Sequence, residues 1–279
     1  EFIIICYFIY NFIVNDISES RNIKKKTINL ITNELYGINT ELSYKYKIID
    51  KIAYYDEFID AIKNKLKSNN INFISIKDYL KFLSKQKKTH KNKIAIIYAS
   101  GLIKQGFGTT DIQDKNYEFI INNIINDPSI KSVVLRINSK GGDAIASDNI
   151  FHQLILLKRK KPLIVSVGDY ATSGGYYIAL AGDKIIASPI SITGSIGVFG
   201  MIVTFKGLID KLGITKDNIV TNNNSLPISL NNIKKQYKNI IFKNIEFIYD
   251  KFISNVSKER KISKDKINEI AQGKILSGN

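Results

Sequence analysis

The sequence predicts an α/β domain with a largely parallel sheet over residues 93–279. Three observations predict it. Short apolar runs alternate with helix-like segments from residue 93 onward, the pattern of strand–helix–strand units. Three glycine-bearing segments follow in order at or near the carboxyl ends of those runs. Residues 1–67 read as helices without that alternation, so the chain changes character part-way along.

Taken in order, helices are expected at 1–15, 24–35 and 56–67. Residues 68–92 are polar and basic and read as a connector. "KIAIIYASG" at 93–101 is a short apolar run ending on small residues, as in a buried strand. "NYEFIINNIIND" at 116–127 is a helix, "IKSVVLRINS" at 130–139 a strand, and the segment after "GGDAIAS" a helix that carries His152. "PLIVSVG" at 162–168 is a third strand, a helix follows Ser173, and "DKIIASP" at 183–189 is a short strand. "IIFKNIEFIYDKFI" at 240–253 spaces its charges as an amphipathic helix does, and helices are expected over 232–255.

Composition sets limits. The apolar share is 44% and the charged share 24%, as in globular chains. A net charge of +16 could attract nucleic acid. The lysines are spread along the chain, and the densest run, 85–93, falls in the connector, so no nucleic-acid partner is expected. A single cysteine, Cys6, excludes an internal disulfide framework. No metal site and no cofactor are expected. The chain opens on Glu1, its one methionine is Met201, and it closes on "ILSGN", so it reads as a fragment.

Residues 8–31 match 247–270 at a constant offset. "FIYN" faces "FIYD", Arg21 faces Arg260, and "INLI" faces "INEI". Such a match is the signature of an internal duplication. Through its amphipathic counterpart, the apolar opening "EFIIICYFIYNFIV" reads as a buried helix rather than a membrane span, which needs about 20 residues. The division that follows is 1–67 as the helical end of a first repeat, 68–92 as connector and 93–279 as the second repeat.

The glycine-bearing segments are "INSKGGDAIAS", "GDYATSGGYY" and "TGSIGVFG". In open α/β sheets ligands bind outside the carboxyl ends of strands. Gly142 and Gly174 could offer backbone N–H groups to a developing oxyanion. Ser173 could cap a helix or act as a nucleophile, and a nucleophile needs a base. His90 sits in the connector and His152 lies well into its helix, so a Ser-His-Asp triad is not expected. A serine–lysine pair remains.

In this order and spacing, "VVLRINSKGGDAIAS", "ATSGGYYIAL" and "TGSIGVFG" resemble the signal peptide peptidase A (protease IV) family. The duplication resembles its long form. The resemblance implies a ClpP/crotonase-like ββα superhelix and a serine endopeptidase with a Ser-Lys dyad. It implies Ser173 as nucleophile, Gly142 and Gly174 as the oxyanion hole, and Ser195 as the serine that orients the lysine. Tyr176, Tyr177 and Phe199 are candidates for an apolar substrate groove. The family degrades signal peptides left in the bacterial membrane. The resemblance therefore implies signal peptides and other apolar peptides as partners, a homo-oligomeric ring or bowl, and an N-terminal anchor outside this chain. It implies an inner-membrane location with the catalytic domain on the extracytoplasmic side.

The short form's lysine loop corresponds to "TNNNSLPIS" at 221–229, which has no lysine. In the family's long form the lysine comes from the first repeat, so the resemblance, mapped by the repeat offset, implies a base shortly before Glu1. Lys216 reads as a surface charge. Lys140 stands where the resemblance has a proline. Two alternatives stay open: a non-catalytic assembly homologue, and a crotonase-like acyl-CoA enzyme.

Overall fold

The structure, a computed structural model, describes residues 2–85, 91–201, 203–215 and 235–278. His90, Lys216 and the loop at 221–229 lie outside the described residues. The chain forms two compact units, 2–91 and 92–279.

The first unit is helical: α1 (Phe2–Arg21), α2 (Lys25–Asn33), a single 3-10 turn (Tyr36–Ile38), α3 (Thr40–Lys45), α4 (Tyr55–Leu66) and α5 (Ile76–Lys85). Two expectations need correction here. The stretch read as connector contains α5, which begins at a reciprocal cap: Ser75 Oγ accepts from Asp78 N at 3.1 Å and donates to Asp78 Oδ2 at 2.7 Å. The apolar opening is not buried all round, since Ile5 and Val14 are covered while Ile3 and Tyr7 are 77% and 68% exposed. No helix among the described residues is long and apolar enough to cross a membrane. Arg21 holds the end of α1 to the segment after α3, donating to the Lys47 carbonyl and, in a fork, to both Asp50 oxygens.

Among the described residues, the second unit is built on one seven-stranded sheet. Its strands are β1 (Lys93–Lys104), β2 (Ile112–Gln113), β3 (Ile130–Gly142), β4 (Leu163–Thr172), β5 (Lys184–Ile186), β6 (Ile192–Gly194) and β7 (Ile275–Ser277). The order is β2-β1-β3-β4-β6-β7, with β5 paired to β4, and every pairing is parallel except β6–β7. The parallel α/β expectation holds. Helices α6 (Asp114–Asn126), α7 (Ala144–Lys158) and α8 (Gly174–Ala179) supply the crossovers. They join one buried core with alternate strand residues, among them Ile97, Val133, Leu135, Ile137, Leu163 and Val165. Then follow α9 (Lys206–Lys211), α10 (Lys235–Arg260) and α11 (Lys264–Ile270). Phe252, Ile253 and Val256 of α10 are buried in the same core.

The pairs α1–α2 and α10–α11 share their internal geometry at the sequence offset. Tyr10 donates to Asn29 Oδ1 at 2.9 Å, and Tyr249, 239 residues later, donates to Asn268 Oδ1 at 3.0 Å. The interhelical turns each hold a left-handed residue, Asn22 with φ 52° and Lys261 with φ 54°. The turn hydrogen bonds Ile23 N to Ser18 O and Ile262 N to Ser257 O measure 3.1 and 3.2 Å.

Candidate active site

The site forms where β3, β4 and β6 end together. Thr172 on β4 pairs with Gly194 on β6, so Ser173 and Ser195 leave adjacent strands side by side. Ser173 N donates to the Gly194 carbonyl at 2.9 Å, and Ser195 N to the Lys274 carbonyl at 2.7 Å. Both serines have left-handed backbones, with φ 52° and 48°. Side chains rarely adopt that region, and holding one there costs on the order of 1–3 kcal/mol. Two such residues side by side mark a place where the fold over-determines the chain.

Ser173 occupies the cap position of α8, but its side chain makes no cap hydrogen bond. The expected helix-capping role for the hydroxyl is therefore corrected: Oγ is left for the cleft. The backbone still starts the helix, since Tyr177 N donates to the Ser173 carbonyl at 2.9 Å. The first N–H groups of a helix have no partner within it, and Gly174 carries the first of them.

The end of β3 closes onto this turn. Ser139 Oγ donates to the Gly101 carbonyl at 2.6 Å and accepts from Gly141 N at 3.1 Å. Gly141 has φ 100°, and a Cβ there would lie 2.8 Å from both Gly174 N and Ser173 Cβ. A Cβ on Gly174 would lie 3.3 Å from Gly142 N and would collide with Ser147 Oγ. The absent side chains thus let two backbone segments touch, which brings the amides of Gly142 and Gly174 to one spot beside Ser173. Asp143 caps α7 through Ala146 N at 2.8 Å, so the chain leaves the turn in a fixed direction.

Ser173, Ser195 and Gly142 line one cleft of about 610 Å³. Its walls include Leu102, Lys140, Val198 and Phe199, and on another side Tyr249, Gln272 and Gly273. Phe199 is 88% exposed at the mouth. Antiparallel pairing pins the Gln272–Gly273 corner, where Gly273 N donates to the Ile196 carbonyl at 3.0 Å. The sequence reading missed Gly141, Ser139, Tyr249 and this corner. The glycine of "AQGK" just before a short strand was the available signal.

Tyr176 and Tyr177 do not line this cleft, which corrects their expected place in a substrate groove. Tyr177 is buried, edge-on to Phe151 and Phe252 with centroids 5.2 and 4.8 Å away. Its hydroxyl donates to Asp148 Oδ1 at 2.8 Å and accepts from Asn255 Nδ2 at 2.6 Å. Burial, then the Asp148 carboxylate, push this phenol far above its ordinary range. Tyr176 packs on the same core, and burial raises its phenol too. The Tyr177 ring and hydroxyl anchor α8 to α7 and α10. His152 is exposed on α7 and lines a different groove, beside Asp114 and Arg159.

Residues 155–279 match the family described as peptidase family S49. That segment is a peptidase S49 domain. The S49 match takes in Ser173, Gly174 and Ser195 and begins after Gly142. Protease 4 of Haemophilus influenzae is 33% identical over 96% of this chain and 46% of its own length. The chloroplastic serine protease SPPA of Arabidopsis thaliana is 30% identical over 97% of this chain and 42% of its own length. The chain thus spans less than half the length of these relatives. Among solved structures, a ClpP1 mutant from Listeria monocytogenes superposes with a TM-score of 0.45 at 14% identity, covering 65% of this chain and 82% of that one.

Proposed function

We propose that the full protein carrying this chain is a serine endopeptidase and that Ser173 is its nucleophile. The observation that carries the reading is the uncapped Ser173 hydroxyl, held at positive φ in one cleft with Ser195 and beside the Gly142 and Gly174 amides. Ser173 Oγ attacks the scissile carbonyl carbon and gives its proton to a lysine base. The N–H groups of Gly142 and Gly174 hold the resulting oxyanion, a contribution of about 10²–10³ in rate per donor in known cases. The lysine passes the proton to the departing amine, and water then hydrolyses the acyl ester. Ser195 orients the lysine.

The lysine comes from the preceding repeat, at the positions that correspond to 221–229 by the offset. Residues 1–67 are the helical end of that repeat, and the shared Tyr–Asn hydrogen bond supports this. The substrates are apolar peptides, signal peptides left in the bacterial membrane among them. Assembly into a homo-oligomer, an anchor outside this chain and an extracytoplasmic catalytic domain complete the reading. The test is hydrolysis of apolar peptides by the full-length protein and by Ser173→Ala. Loss of turnover in a folded variant supports the reading, whereas equal turnover by the two proteins contradicts it.

A further inference from the structure

Lys140 is the one charged residue among the described residues that line the cleft. Every other lining residue is a glycine, a serine, an aliphatic, a phenylalanine, a tyrosine or a glutamine. Lys140 directly precedes Gly141 and Gly142, so its charge stands next to the turn that meets Ser173. Its ammonium sits over the Tyr170 ring, 4.9 Å from the centroid. That contact steers an otherwise flexible stem without neutralising it. Among the described residues Lys140 makes no salt bridge.

An unpaired cation in an apolar, uncharged cleft favours a ligand that brings one negative charge. We propose that Lys140 makes the cleft selective for peptides that place a carboxylate close to the scissile bond. The inference rests on the protease reading above. Two sources carry the same chemistry: an aspartate or glutamate side chain, and the free carboxylate at a peptide's end. The second source suits an apolar peptide already released from a longer chain, because its release creates a new terminal carboxylate. Lys140 is then a specificity-determining residue: it leaves the attack on the carbonyl to Ser173 and biases which peptides are held there.

The experiment compares matched apolar peptides on the full-length protein. One pair differs only in a free or amidated C-terminus, and another only in an internal aspartate or asparagine. The acid member of at least one pair should have the higher kcat/KM, by about two- to fivefold, as an exposed charge pair allows. The pair that responds identifies the source. The preference should shrink with added salt, persist in Lys140→Arg, vanish in Lys140→Gln and reverse in Lys140→Glu. A parallel arm measures binding of the same labelled peptides to Ser173→Ala by fluorescence anisotropy, with and without Lys140→Gln. If no peptide is hydrolysed, the protease reading falls, and this arm alone decides the charge preference. Equal handling of acid and neutral peptides in both arms overturns the inference. So does a preference that Lys140→Gln leaves intact, or an equal loss of turnover on every peptide in Lys140→Gln.

Discussion

Gly141→Ala tests the contact on which the site depends. The new Cβ would lie 2.8 Å from Gly174 N and Ser173 Cβ and 2.9 Å from the Thr172 carbonyl oxygen. None of these is the end of a flexible side chain, so the backbone itself must move. The residue would also hold φ at 100°, where side chains are strained. Strain costs on the order of 1–3 kcal/mol, and overpacking about 1–3 kcal/mol more. A total near 4 kcal/mol lowers Tm by roughly 8–16 °C in a unit of this size. Because the displaced atoms belong to the nucleophile's turn, labelling of Ser173 by a fluorophosphonate should also slow by about 10²-fold. Two controls separate the causes. Gly37→Ala meets nothing within 4 Å and should be neutral. Gly213→Ala meets nothing but has φ 65°, so it isolates strain, about 1 kcal/mol. Calorimetry and labelling of the full-length protein provide both readouts. A Gly141→Ala protein that melts and labels like Gly37→Ala would refute the close packing of the two turns.

Other substitutions probe separate parts of the account. Ser173→Gly removes the hydroxyl and the backbone strain together, so calorimetry should show Tm about 2–4 °C higher, from a net gain near 1 kcal/mol, while labelling is lost. Tyr177→Phe leaves Asp148 Oδ1 and Asn255 Nδ2 without this partner and should cost about 1–2 kcal/mol in denaturant unfolding; a changed KM at unchanged stability would instead return Tyr177 to the groove. Asp111 is held below the usual carboxylate range by its hydrogen bond to Lys104 and then by the Leu102 N–H. A lowered folded pKa gives stability that is complete above the unfolded value of about 4 and is lost as pH falls through the folded pKa. Thermal scans between about pH 5 and pH 2 should therefore show a steeper loss in the wild type than in Asp111→Asn.

The parts legible in the sequence were those where chemistry is local. The runs at 130–139 and 162–168 are β-branched and apolar, and both are strands. "SGG" alone fits a tight turn as well as a nucleophile. Ser173 stood out because three glycine-bearing segments follow in order on one sheet, and Ser195 was singled out only by the family resemblance. What was not legible depends on distant partners. Nothing near Tyr177 tells which face of a six-residue helix it occupies, because Phe252 and Asn255 arrive only with α10. The helix at 76–85 was hidden by its lysines, although Ser75 and Asp78 have the spacing of a cap. The uncapped Ser173 hydroxyl was equally hidden, since the turn that holds it at φ 52° is bonded to Gly194 and packed on Gly141, both on other strands. The match of 8–31 with 247–270 was visible in the letters, and the Tyr–Asn hydrogen bond recurs at the same offset.

The most direct test of the central claim is the site of fluorophosphonate attachment in the full-length protein, located by mass spectrometry of the digested adduct. The account predicts one modified peptide, bearing the adduct on Ser173, and none in Ser173→Ala. An adduct on another residue, or no adduct on a folded protein, would contradict it.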